Sequence, residues 1–272
     1  MLILAYFLGI SSFLLLVLIF LCSPADRKHP DRKILENSYI AHRGLHCLKN
    51  GVPENSLSAF EKAIEKNLPI EIDIHLTQDG EVVVFHDDDG KRACGVEKKI
   101  EEMTLSEVKS LRLFGTDEQI PTLQECLDLV DGKVFLLIEF KVVDNNTKSL
   151  CEAANKILSE YKGKYFIQSF YPQILYWYKK NAPEVCRGQL SATFQKESLA
   201  KVILGKQLLN FIGRPDFISF KHQDNASLFF RFAVFLGGFP VGWTFQSKEE
   251  LKKNKKRFRT FIFENLLNEE EN

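Results

Sequence analysis

His42, Glu71, Asp73, His86 and Glu139 are the residues of this chain best suited to chemistry. The three carboxylates offer only oxygen, a donor set that suits a hard divalent cation, Mg²⁺ or Ca²⁺. Clustered thiols or imidazoles of the kind zinc prefers are absent from the sequence. Two histidines can divide proton work, one removing a proton from a nucleophile and the other protonating a leaving oxygen. Arg43 and Lys141 can contact phosphate oxygens. Each piece alone has a plainer reading. A Glu-x-Asp on a strand is usually a solvated face, and a His-Asp pair is more often a turn than a catalytic centre.

These residues must be brought together by strands. Residues 70–84 contain two β-type runs around Asp79-Gly80, a hairpin signal because Asp-Gly suits a two-residue turn. Such a turn predicts Asp73 directly opposite His86, with Cβ atoms roughly 5 Å apart. Side chains alternate along a strand, so Glu71, Asp73 and His75 share one face while Ile70, Ile72 and Ile74 share the other. Val82, Val84 and His86 likewise share a face. Glu139 lies in an apolar run, Val134 to Phe140, that reads as a buried parallel strand. A buried carboxylate is costly unless it is paired or binds a metal. Lys141, two residues on and on the same face, is a candidate partner.

The remaining pattern alternates strands with helices. Strands are predicted at 39–41, 70–76, 81–85, 134–140, 165–169, 185–190, 217–220, 241–245 and 260–263, and helices starting near Ser56, Thr104, Thr122, Thr147, Tyr171, Lys196, Asn225 and Ser247. The fold class this predicts is α/β, a TIM-type (β/α)8 barrel. Nine strands exceed eight places, so one member of the hairpin is expected above the barrel rim, because parallel neighbours cannot share a two-residue turn. His42, Glu71, Asp73 and Glu139 then fall at strand C-terminal ends, where barrel active sites are built.

The ordered set Ala41-His42-Arg43-Gly44, Pro53-Glu54-Asn55-Ser56, Glu71-Ile72-Asp73, Asp79-Gly80, His86-Asp87 and Ile138-Glu139-Phe140-Lys141 resembles the glycerophosphodiester phosphodiesterase family. The resemblance runs from about Tyr39 to Glu264. It implies a barrel enzyme that splits a phosphodiester to release an alcohol. It places one divalent ion on Glu71, Asp73 and Glu139, and an acid–base pair on His42 and His86. By the same resemblance Glu54 faces the site, and Trp243 of Gly242-Trp243-Thr244 flanks the substrate. Gln168-Ser169-Phe170 matches a further strand end. The last strand departs, with Phe261-Ile262-Phe263-Glu264-Asn265 in place of an Asp-Tyr-Pro-type ending. His46 and His222 match no role and read as surface or packing residues. Two other readings stay open: an enzyme of the related phosphoinositide phospholipase C or sphingomyelinase D type, and an inactive membrane-bound lipid-binding protein. The motif order favours the first family, and no ligand residue is missing.

Residues 2–22 carry no charge, and as a helix they would span about 30 Å, the thickness of a bilayer core. We therefore expect a transmembrane anchor at 1–23, a basic juxtamembrane linker at 24–37, the catalytic domain at 38–266 and an acidic tail at 267–272. A cleaved signal peptide is the competing reading, but no Lys or Arg precedes the run. Arg27, Lys28, Arg32 and Lys33 all follow it, which predicts a cytoplasmic catalytic domain. The formal net charge is zero, which gives no general attraction to nucleic acid; membrane lipid and a phosphodiester substrate are the expected partners, with no obligate protein partner evident. The scattered cysteines suggest no disulfide framework. In residues 226–239, Phe229, Phe230, Phe232 and Phe235 cannot all share one narrow helix face, so part of that helix is expected to reach a bilayer interface. A substrate preference for lysophospholipids would follow.

Overall fold

A computed structural model describes residues 2–25, 29–194 and 197–266. Its strands are β1 (Tyr39–His42), β2 (Ile70–Leu76), β3 (Val82–Val84), β4 (Leu136–Phe140), β5 (Tyr165–Ser169), β6 (Arg187–Ser191), β7 (Phe217–Lys221), β8 (Phe239–Phe245) and β9 (Thr260–Phe263). Eight run parallel and close into a barrel, because β1 pairs with both β9 and β2. The ninth, β3, runs antiparallel to β2 and stands outside the ring. This is the TIM-type architecture the alternation predicts.

Strand alternation sorts side chains into two layers. Ile40, Leu137, Phe166, Phe217, Val241 and Ile262 fill the barrel interior, with Leu35 packed among them. Ile70, Ile72, Ile74, Ile138 and Ile167 face outward against the helices, where they meet Phe60, Ala63, Leu127, Leu150 and Tyr178. Burial of these large apolar side chains is the main favourable term, about 1.5–3 kcal/mol for each fully buried one. Helices start on Ser56, Thr104, Thr122, Ser198, Ser227 and Ser247, whose hydroxyls accept a backbone N–H of the first turn. The start expected at Lys196 lies outside the described residues.

The β2–β3 register corrects the sequence reading. His75 pairs with Val83 and Ile74 with Val84, so the turn has three residues rather than two. Thr77 N–H donates to Glu81 O at 2.8 Å across Gln78-Asp79-Gly80, and only Gly80 has positive φ, +88°. That is the three-residue hairpin in which glycine takes the left-handed position. The one-residue shift puts Val82 and Val84 with Ile74 in the outer core, places Phe85 rather than His86 beside Asp73, and ends β3 before His86.

Residues 85–120 build a small cap that packs on Val83 of β3 through a core of Phe85, Ala93, Ile100, Met103, Val108, Leu113 and Ile120. His75 anchors it, with Nδ1 2.7 Å from Glu101 Oε1.

The N-terminal helix, Leu2–Cys22, is long and apolar enough to cross a membrane by length and composition. Its last turn packs on the barrel. Phe20 meets Phe211 with ring centroids 5.6 Å apart, and Arg214 donates to the carbonyls of Phe20 and Ser23 at 3.0 Å each. The described part of the following segment is packed too, with His29 and Leu35 buried. Arg27, Lys28 and the tail at 267–272 lie outside the described residues. In the helix Leu228–Phe235 the apolar residues divide. Phe230 stacks on Phe220 at 4.4 Å, while Leu228 and Phe235 are 75% and 82% exposed. All six cysteines are free.

Candidate active site

Glu71 and Asp73 project from β2 into the barrel mouth, and Glu139 of β4 stands beside Asp73 in register. Both strands carry acids on the inward face, and the register of the parallel pair sets Asp73 and Glu139 side by side. Ligand oxygens of the three lie within 4.8 Å of one another, and all three residues are buried. Three acids meet two cations. Lys141 Nζ is 2.9 Å from Asp73 Oδ1 and 2.6 Å from Glu139 Oε1; Arg43 Nε is 3.5 Å from Asp73 Oδ2. Burial opposes the charge on Asp73, yet Lys141, His86 and Arg43 hold its carboxyl well below the usual range. Burial, with Asp73 and Glu139 adjacent, pushes Glu71 well up. Burial also raises Glu139, against the pull of Lys141. A divalent cation would relieve the surplus negative charge, and an all-oxygen set fits Mg²⁺ or Ca²⁺. The buried amide oxygens of Asn55 and Gln168 have no hydrogen-bond partner, while their NH₂ groups donate to Asp73 and Glu71. The acids are thus oriented by neighbours, as ligating carboxylates require.

The Ala41-His42-Arg43-Gly44 turn has a steric origin. Arg43 and Gly44 both have positive φ, +55° and +82°. A Cβ on residue 44 would sit 2.8 Å from Ala59 Cβ and 2.9 Å from its carbonyl carbon, so only glycine fits. The turn sends Arg43 over the site to Glu54 at 2.6 Å. Glu54 also takes Arg92 of the cap at 2.7 Å. Asn55, left-handed at φ +53°, is aimed at Asp73, and Ser56 then caps the helix 57–65.

Each histidine is held through Nδ1 by a carboxylate. His42 Nδ1 lies 3.2 Å from Glu264 Oε2, and His86 Nδ1 lies 2.6 Å from Asp87 Oδ1. The hydrogen bond from His42 brings Glu264 down to about 2. Burial opposes the charge on Asp87, but Arg92 and His86 keep it below its ordinary value. An ionised carboxylate only accepts, so both Nδ1 atoms carry the proton and both Nε2 atoms are free for chemistry. Burial pushes His86 down to about 4 despite Asp73, so it is neutral at pH 7.

Arg43, Glu54, Glu71, Asp73, Glu139 and Lys141 form one connected set; His42, bonded to Glu264, and His86, brought by the cap although the hairpin does not pair it with Asp73, flank that set. Trp243 stands further round the mouth, edge-on to Phe170 at 5.8 Å, with its Nε1 buried and unpartnered. His75 shares the acidic face in the strand but turns to the cap instead. His222 is a packing residue, stacked on Phe245 at 4.3 Å. His46 is not on the surface: it lies 3.8 Å from Glu264. Glu264 is the residue missed, since it belongs to the strand end that departs from the expected motif. Its one available signal was an acidic residue just past an apolar strand.

Residues 42–255 match the Glycerophosphoryl diester phosphodiesterase family. A glycerophosphodiester phosphodiesterase of Caldanaerobacter subterraneus is 37% identical over 161 residues, 56% of this chain and 65% of that protein. The human lysophospholipase D GDPD1 is 30% identical over 40% of this chain and 38% of its own length. These stretches span less than two thirds of either relative. In fold, the chain is similar to an Oleispira antarctica phosphodiesterase solved with the product sn-glycerol-3-phosphate, at TM-score 0.72 and 22% identity, covering 85% of this chain and 94% of that one. With the family matched over most of its length, and the motif residues gathered at one barrel mouth, the chain belongs to the glycerophosphoryl diester phosphodiesterase family.

Proposed function

We propose that this chain hydrolyses a glycerophosphodiester to an alcohol and a glycerol phosphate, or a lysophospholipid to an alcohol and an acylglycerol phosphate. The observation that carries the reading is the buried acidic triad flanked by two histidines with free Nε2 atoms. The balance of the reaction is simple. Water is consumed, the bond from phosphorus to the alcohol oxygen breaks, and the alcohol leaves with a proton. Glu71, Asp73 and Glu139 would hold Mg²⁺ or Ca²⁺, which when bound supplies positive charge to the phosphate and lowers the cost of forming an anionic nucleophile. Arg43 and Lys141 supply further positive charge beside it. His42 and His86 divide the proton transfers. Glu54 holds Arg43 against Arg92 and so keeps the cap over the phosphate side. Trp243 walls the substrate with its indole.

We further infer a membrane anchor at 1–23, a short basic segment to residue 37 and a catalytic domain at 38–266 on the cytoplasmic face. The apolar helix, and the basic residues that follow it, support this reading. The lysophospholipase D name of the human relative supports the lysophospholipid alternative.

The test is a product assay. Full-length protein treated with chelator should lose turnover on glycerophosphocholine, and Mg²⁺ or Ca²⁺ should restore it. Full turnover in excess chelator, with no metal by elemental analysis, would refute the metal assignment. Failure to release any alcohol from a panel of glycerophosphodiesters and lysophospholipids would refute the reaction.

A further inference from the structure

A groove of about 550 Å³ opens from the acidic site along one side of the barrel mouth. That size lies within the roughly 300–1,000 Å³ of ordinary small-ligand sites. It runs from Glu139 and Lys141 past Phe170 and Phe194 to Leu204 and Leu209. Its wall is mostly apolar. Trp243, Phe170 and Phe194 form a continuous edge-on aromatic series, with centroid separations of 5.8 Å and 6.1 Å, that leads away from the reacting end.

We propose that this groove binds the acyl chain of a lysophospholipid while its phosphodiester sits at the acidic site. The proposal rests on the phosphodiesterase reading above and names its substrate class. Two observations choose a hydrocarbon chain over other occupants. First, the groove is continuous with the carboxylate site, so one molecule with a phosphodiester head and an apolar tail occupies both. A water-soluble glycerophosphodiester leaves the aromatic wall uncovered. Second, the far end lies on the stretch of chain that receives the membrane-type helix. Leu204 and Leu209 line the groove, while Phe211 and Arg214 hold the last turn of that helix. Leu199 and Leu228 are each 75% exposed on the helices beside this stretch. The tail end of the groove therefore opens on the side where the anchor brings lipid, and a monoacyl lipid reaches the site with little of its chain crossing water.

Chain length decides the matter. Full-length protein in detergent, supplied with Mg²⁺ or Ca²⁺, is assayed on glycerophosphocholine and on lysophosphatidylcholines from hexanoyl to dodecanoyl, each below its micelle-forming concentration. We expect kcat/KM to rise with chain length by roughly 2- to 4-fold per methylene, the scale of removing a methylene from water, until the groove is filled. Ala200→Trp, at an exposed position on the groove wall, should cut the dodecanoyl-to-glycerophosphocholine ratio at least about tenfold and flatten the series. Leu209→Asp should do the same. A second measurement is independent of turnover: binding of a fluorescent dodecanoyl lysophosphatidylcholine to His86→Ala protein, with and without Ala200→Trp. Loss of that binding in the groove variant supports the proposal even if no substrate is hydrolysed, an outcome that would instead overturn the reaction. Hydrolysis with kcat/KM indifferent to chain length, or equal probe binding with and without Ala200→Trp, overturns the groove and leaves the phosphodiesterase reading intact.

Discussion

The two histidines are fixed by the same device, a carboxylate on Nδ1, but the carboxylates come from different places. Asp87 is the next residue in the chain, whereas Glu264 follows the last strand, which pairs with β1. If His42 and His86 share the proton transfers, His42→Ala and His86→Ala should each lower kcat at least about 10²-fold. The double variant should lose far less than the product of the two, because the pair acts as a unit. Near-normal turnover by either folded single variant would remove it from the mechanism. Glu264 makes a separate prediction. Its carboxyl lies below the ordinary value of 4.5, down to about 2, chiefly through the hydrogen bond from His42. A depressed carboxylate adds stability that is complete above its unfolded pKa and disappears as pH falls through the folded one. Wild-type protein should therefore lose stability between about pH 4.5 and 2 more steeply than Glu264→Gln, as urea midpoints would show. The same variant should lower kcat with KM little changed, since it frees His42 to rotate without touching substrate. Parallel stability curves and an unchanged kcat would reduce Glu264 to packing.

At the scale of elements, two turns decide where the chemistry lies. The Arg43-Gly44 turn bends the chain from β1 across Ala59, and no Cβ fits at its second residue. Gly44→Ala should cost at least about 2 kcal/mol, combining a left-handed residue with a contact to backbone that cannot move aside. Denaturant unfolding measures this, and a cost within about 0.5 kcal/mol, the ordinary surface range, would show that the turn relaxes. The β2–β3 turn shows how a period of two amplifies a small error. A loop of three residues instead of two moves every β3 side chain to the opposite face. Val84 thereby joins the outer core, and His86 is delivered by the cap rather than by a strand pair.

On the scale of the whole molecule, the apolar helix and the barrel are not independent bodies joined by a tether, because the last turn of the helix is bonded to Asn210 and Arg214. The active-site mouth is thereby held at a set distance from whatever surface the helix enters. With Arg27, Lys28, Arg32 and Lys33 on the barrel side of the span, the catalytic domain should be cytoplasmic. A C-terminal reporter active only in the cytoplasm should work, and digestion of the domain by protease added to intact cells would reverse the assignment.

The strand and helix alternation and the barrel were legible in the residues alone, and the acidic triad was named by the motif resemblance. Alternation puts Glu71, Asp73 and Glu139 on inward faces, but the parallel register of β2 with β4, which sets Asp73 beside Glu139, is decided by the barrel. The caps at Ser56, Thr104 and Thr122 were equally local. What lay beyond the sequence was whatever depends on residues distant in the chain meeting in space. Glu264 lies 222 positions from His42, and only closure of β9 onto β1 places its carboxylate on the ring. His46 joins that pair for the same reason. The aromatic groove combines β4, β5 and the segment after β6, each of which reads on its own as ordinary core. Local pattern reports which face a side chain takes; the barrel alone decides which other faces it meets.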